Sequence, residues 1–154
     1  MKLVKGDLLT LAEAGEFDAI VHGCNCFCTM GAGIAKQIKE QYPDAWDQDA
    51  RTMSGDIFKL GNWTEFNTGK FVIINAYTQF GMSKTGEDVF EYTSFELILQ
   101  KLAHLYGKNR FGFPLIGMGL AGGDKQRIFG LLEWFSDECA KQGGKVTVVE
   151  YKGT

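Results

Sequence analysis

Apolar and polar positions along the chain switch between two periods, and the switches mark the elements. Lys2 to Lys5 predicts a short, edge-like strand, and Gly6-Asp7 closes it ahead of a brief helix over 8–14. Asp18 to His22 carries Ala19, Ile20 and Val21 and predicts a second strand, while Ile34, Ile38 and Tyr42 recur at helical spacing and predict a helix over 33–41. Pro43 suits the first turn of a further helix, PDAWDQDARTM, with Ala45, Trp46 and Met53 as its buried side and Gly55 as its stop. The alternation in GDIFKLGNWTEF predicts a strand, and Asn67-Thr68-Gly69-Lys70 a turn into the next. Phe71 to Tyr77 is continuously apolar, as expected of a central strand covered on both faces.

A long polar loop, 78–92, follows, of a length that in compact domains belongs to function or motion. Thr93 with Glu96 forms a capping-box pattern, and Phe95, Ile98, Leu99, Leu102 and Leu105 then lay an apolar stripe on a helix. FGFPLIG predicts another buried strand. Ile128, Leu131, Leu132, Phe135 and Cys139 mark a helix from about Asp124 to Gly143-Gly144, and KVTVVEY is the last strand. Strands alternating with helices imply an α/β fold with a largely parallel sheet and helices on both faces. Ligands bind such sheets at the carboxyl ends of the strands.

Composition narrows what that ligand can be. The 154 residues suit one domain, 1–154, with a core that needs no disulfide or metal. A net charge of −3 and no clustering of Lys or Arg argue against a nucleic-acid backbone as main partner. No run is apolar enough to cross a bilayer and MKLVKGDLL lacks the order of a signal peptide, so a cytoplasmic protein with reduced cysteines is expected. The one-residue spacing of Cys24, Cys26 and Cys28 is not that of a zinc knuckle, and neither metal nor cofactor is expected. A thiolate at Cys24 or Cys28, favoured by a helix N-terminus, is an alternative use of the cluster.

Twenty glycines against two prolines point to loops that approach something closely, and two glycine clusters follow buried strands directly. GCNCFCTMGAGIA contains Gly23, Gly31 and Gly33 with His22, Asn25 and Thr29 beside them; IGMGLAGGD is the second. Each closes a strand and opens a helix, so backbone amides and a positive dipole end are available to an anion. Two such loops facing each other suit a diphosphate. Either loop alone reads equally well as a plain turn.

The order GDLL, DAIVHGCN with MGAGIA, VIINAYTQ, PLIGMGLAGG and a final VVEY resembles a macro domain, the ADP-ribose-binding module, from Gly6 to about Tyr151. His22 ahead of Cys24-Asn25 is most similar to the compact branch containing the yeast ADP-ribose 1″-phosphate phosphatase. The resemblance implies a three-layer α/β/α fold around a mixed, mostly parallel sheet of about six strands. It also implies residue roles. Asp7, with Leu8 beside it, matches the carboxylate that accepts from the adenine amino group, and by position Asp7 is equally a helix N-cap. Asn25 matches the reader of the distal ribose; a side chain bonded to its own loop is the alternative. Gly31, Ala32, Gly33 and Ile34 match the first phosphate loop, and Gly117, Met118, Gly119, Leu120 and Ala121 the second. Tyr151 is an aromatic wall for adenine or a half-buried strand residue.

In the phosphatase branch His22 takes the catalytic position, as base or as nucleophile, with Asn25 and an acidic residue of the 78–92 loop assisting; a satisfied, structural histidine at the strand end is the alternative. Glu87, Asp88 and Glu91 are available there, and Asp88 is the choice, with a solvated loop face the alternative for each of the three. Hydrolases of the family that free ADP-ribose from glutamate use a lysine and an aspartate where this chain has Gln79 and Ala121. Asp124 could reach the site or cap the following helix. The expected function is therefore metal-independent hydrolysis of ADP-ribose 1″-phosphate by a monomer. A non-catalytic reader of ADP-ribose or of ADP-ribosylated macromolecules, and a hydrolase acting on modified protein or nucleic acid without a lysine, are the alternatives.

Overall fold

The computed structural model describes residues 1–152. Six strands form one sheet: β1 (Lys2–Gly6), β2 (Ala19–Cys24), β3 (Trp63–Asn67), β4 (Val72–Tyr77), β5 (Arg110–Phe113) and β6 (Lys145–Tyr151). Their spatial order is β1-β6-β5-β2-β4-β3, parallel throughout except for the β3–β4 pair. Helices α1 (Leu8–Glu13), α2 (Gly33–Gln41) and α3 (Pro43–Ala50) cover one face, and α4 (Tyr92–Tyr106) and α5 (Lys125–Ala140) the other. The three-layer, mixed six-stranded fold expected from the sequence is the fold observed.

Alternation along the strands divides the core in two. Ala19 and Val21 of β2 join Ile74, Ala76, Phe111 and Phe113 under α4 and α5, while Ile20 and Cys24 join Ile73 and Tyr77 under α1 to α3. Phe135 of α5 is fully buried and meets Phe111 and Phe113 edge-on, with ring centroids 5.0 and 5.8 Å apart. Among the described residues, two of the α-helices carry side-chain caps: Asp7 accepts from the Thr10 N–H at 3.0 Å and Asp124 from the Arg127 N–H at 3.2 Å.

Four local expectations are corrected. Helix α3 ends at Ala50, so Met53 lies beyond it and is 75% exposed; the buried residues of α3 are Ala45 and Asp49. The segment after Gly55 forms a single 3₁₀ turn, Ile57–Lys59, before β3, because Asp56 caps it by accepting from the Phe58 N–H. Helix α4 begins two residues earlier than the Thr93–Glu96 pattern implies, with Glu91 at its N-cap, and Leu105 faces solvent while Ala103 is buried in its place. Strand β2 runs on to Cys24 rather than ending at His22.

The functional geometry follows from where β2 has neighbours. It pairs with β4 from Ala19 to Cys24 but with β5 only at Ala19 and Ile20, after which β5 gives way to Pro114. Connections from β2 lead towards β4 on one face and those from β5 towards β6 on the other. A crevice therefore opens at the carboxyl ends between them.

Truncating Phe135 to Ala removes the ring on which two strand aromatics pack. A loss of about 3–5 kcal/mol is expected, read as a lowered urea midpoint with an unchanged slope.

Candidate functional site

Both glycine loops reach the crevice, and two cavities flank the first turn of α2. The first, of about 210 Å³, is lined by residues that include Gly23, Asn25, Gly31, Ala32, Asp49 and Ala121. The second, of about 350 Å³, is lined by Asp7, Leu8, Ile34, Gln37, Glu150 and Tyr151 together with Pro114, Leu115 and Val149. Ile34 and Ala35, neighbours on α2, face one cavity each. Unlike α1 and α5, α2 has no side chain capping its N-terminus: Ala32 is the N-cap, and the first intrahelical bond is Lys36 N–H to Ala32 C=O. The amides of the first turn are left to whatever enters the gap between the cavities. Gly33 there has φ +58°, and a Cβ at that point would meet nothing within 4 Å, so the position needs glycine for its backbone and not for want of room.

The loop between β2 and α2 is held from below. Lys59, only 8% exposed, donates to the Cys26 carbonyl at 3.0 Å and the Met53 carbonyl at 3.3 Å, and its ammonium lies 4.9 Å from the centroid of the Tyr77 ring. Cys28 and Met30 take left-handed φ values of +59° and +41°, unusual for side-chain-bearing residues. Trp46 Nε1 donates to the Cys28 carbonyl, and the Met30 side chain is buried. Asn25 accepts from the Phe27 N–H and donates to Thr29 Oγ1, both at 2.8 Å, while still lining the cavity. Both readings of Asn25 are thus compatible in one side chain, as are both readings of Asp7.

The opposite wall is the loop after β5. Gly117, at φ +73°, lies under Phe90, whose ring would be 2.4 Å from any Cβ placed there. Leu120 and Ala121 line the first cavity, whereas Gly117, Met118 and Gly119 line neither. The 78–91 segment is tied down rather than loose: Glu91 N–H donates to the Thr78 carbonyl, Val89 N–H to that of Ala121 and Cys26 N–H to that of Phe80.

Three of the chemical expectations are not met by this arrangement. His22 does not reach the crevice. Because β2 continues for two residues past it, the imidazole sits in the floor, 0% exposed, facing α3. Asn75 Nδ2 donates to the Ala45 carbonyl and to Thr64 Oγ1, which leaves Asn75 Oδ1 to accept from His22 Nε2 at 2.7 Å. That bond assigns the proton to Nε2. Burial pulls the His22 pKa down to about 4, with the Asn75 bond opposing. Asp88 likewise is spent elsewhere, accepting from the Phe90 N–H and the Tyr92 hydroxyl, and it lines neither cavity. Burial pushes the Cys24 thiol well above its usual range, with Asp49 nearby adding to the shift, so Cys24 is a packed thiol and not a thiolate.

Sequence reading missed Asp49, Lys59, Asn75, Thr64 and Tyr77. The available signal for Asp49 was helical spacing, since it lies four positions after the buried Ala45.

An α/β sheet with an amide-lined crevice at its topological switch is the arrangement at which such folds bind ligands. The macro domain family model matches residues 21–129, and the chain belongs to the macro domain family. It is 34% identical over 148 residues to an uncharacterized 17.5 kDa protein of Enterobacteria phage T4, covering 90% of this chain and 91% of that one. It is 40% identical over 47 residues to an ADP-ribose 1″-phosphate phosphatase of Aspergillus oryzae, a stretch that is 30% of this chain and 22% of the fungal protein. In fold it is similar to Thermosipho africanus DarTG, solved in complex with ADP-ribose, with a TM-score of 0.75 at 16% identity over 96% of this chain and 40% of that one.

The lowered pKa of His22 couples to stability. Between about 6.5 and about 4 the unfolded chain binds a proton that the folded one refuses, so stability falls as pH drops through that window. The loss amounts to roughly 3 kcal/mol when complete. Carboxylates held low by their donors, Asp18 and Glu87, add their losses only at lower pH. An NMR titration should find the His22 ring neutral until about pH 4; protonation near neutrality would contradict the buried floor position.

Proposed function

We propose that this protein binds ADP-ribose across the start of α2. The observation that carries the reading is the pair of cavities flanking uncapped amides. The diphosphate meets the first turn of α2, adenine enters the second cavity beside Asp7 and Tyr151, and the distal ribose enters the first beside Asn25. Asp7 suits the adenine end because a carboxylate accepts from an exocyclic amine, and Leu8 and Ile34 supply the apolar contact a base requires. Backbone amides provide the charge complement to the diphosphate, so binding needs no metal. The fold neighbour solved with ADP-ribose supports the reading in outline.

A second reading, hydrolysis of ADP-ribose 1″-phosphate, is supported by the partial identity to the fungal phosphatase. The burial of His22 speaks against the route through that residue. Any turnover would draw on groups that line the first cavity.

Calorimetry with ADP-ribose in the presence of chelator should show saturable binding. Asp7→Ala should weaken it by about tenfold, the effect of a lost hydrogen bond to a charged group. Binding that vanishes on chelation, or is indifferent to Asp7, would count against this placement. Phosphate release from ADP-ribose 1″-phosphate decides the second reading: its appearance in chelator establishes the phosphatase, and its absence leaves a reader or a hydrolase of another ADP-ribose bond.

A further inference from the structure

Among the described residues, Asp49 is the one carboxylate lining the first cavity, and its surroundings are unusual. It belongs to α3, is 1% exposed and yet lines the cavity with Gly23, Cys24 and Asn25. Its Oδ1 accepts from the Tyr77 hydroxyl at 2.7 Å, and the phenol is itself 3.1 Å from Thr64 Oγ1. Its Oδ2 is buried with no hydrogen-bond partner among the described residues. The nearby ammonium of Lys59 is committed to the Cys26 and Met53 carbonyls and forms no ion pair with Asp49.

A buried carboxylate oxygen without a donor is costly. Here it is retained beside a cavity, with the other oxygen locked by a phenol so that the carboxyl cannot swing to a different partner. Burial pushes the Asp49 carboxyl up, while the Tyr77 bond and the Lys59 charge pull it back. The position calls for a ligand that brings a neutral donor. A sugar hydroxyl is such a donor, and a phosphate dianion is the reverse.

We propose that Asp49 is the specificity-determining residue of the first cavity: its Oδ2 accepts a hydrogen bond from a hydroxyl of the distal ribose, and its charge rejects a phosphate carried on that ribose. The inference rests on the ADP-ribose reading above and deepens it. The ligand class is then ADP-ribose, free or attached through an uncharged link at its terminal carbon, and not ADP-ribose 1″-phosphate. Like charges brought together in a water-poor cavity cost several times more than the hydrogen bond they displace.

The test is calorimetry at neutral pH with ADP, ADP-ribose and ADP-ribose 1″-phosphate, on wild type and Asp49→Asn. The wild type should bind ADP-ribose at least about tenfold more tightly than the 1″-phosphate. Asp49→Asn keeps the shape of the side chain and removes its charge, so it should bring the two ligands to within about threefold by weakening the first and strengthening the second. ADP, which has no distal ribose, should bind both proteins to within about twofold and so reports an intact fold. A variant that binds ADP normally but keeps the wild-type discrimination overturns the role of Asp49. A variant that has lost ADP binding leaves the wild-type ratio to decide, and a wild type that takes the 1″-phosphate as tightly as ADP-ribose also overturns it. A wild type that binds none of the three overturns the ADP-ribose reading itself, and the role of Asp49 with it.

Discussion

The parting of β2 from β5 is the constraint on which the site depends. A parallel strand that loses its neighbour leaves main-chain groups without ladder partners, and these must be hidden or used. Here the ladder on the β5 side stops after Ile20, and Pro114, which has no N–H to offer, follows Phe113 directly. The far half of β2 keeps its full pairing with β4. One edge of Val21 to Cys24 is therefore anchored while the other opens onto the crevice. The loops to α2 and from β5 diverge from that gap to opposite faces of the sheet.

A gap in a sheet would close or soften without a stiff floor. Tyr77, Asn75 and His22 lie on the α3 side, and Thr64 of β3 bonds both Asn75 and Tyr77. Each is tied to a partner on another strand or helix, so the layer fixes α3 against β2, β4 and β3. Lys59 then ties the loop above to that layer through two carbonyls. Two residues in left-handed conformations cost on the order of 1–3 kcal/mol each, and such a loop keeps its shape only if its surroundings over-determine it.

Periodicity made the elements legible. The boundaries of α2 and β6, the Asp7 and Asp124 caps and the two loops at carboxyl ends are all local signals, carried by residues within a few positions of one another. The site was less legible because it depends on a boundary and on register. Ending β2 at His22 puts the imidazole at the mouth; two more ladder residues, Gly23 and Cys24, sink it into the floor. Nothing local marks that difference, since glycine and cysteine are poor evidence for a strand in isolation. The partner that makes His22 structural, Asn75, is 53 positions away and meets it only through parallel register. Asp49 and Tyr77 meet across 28 positions through the packing of α3 on β4.

Charge is distributed along the crevice with a sense. Asp7 and Glu150 line one end, Asp49 lines the other, and between them stand the uncapped amides of α2. A chain with net charge −3 has no surplus of cations to gather an anion from a distance, and neither cavity is lined by a lysine or arginine. On the ADP-ribose reading, affinity for the diphosphate would come from short-range dipoles at the centre, which act only on a group placed within hydrogen-bonding reach of the first turn. Carboxylates at both ends penalise any ligand whose charge lies off-centre. A molecule negative in its middle and neutral, donor-rich at each end satisfies all three conditions together, and a nucleoside diphosphate joined to a second sugar is such a molecule.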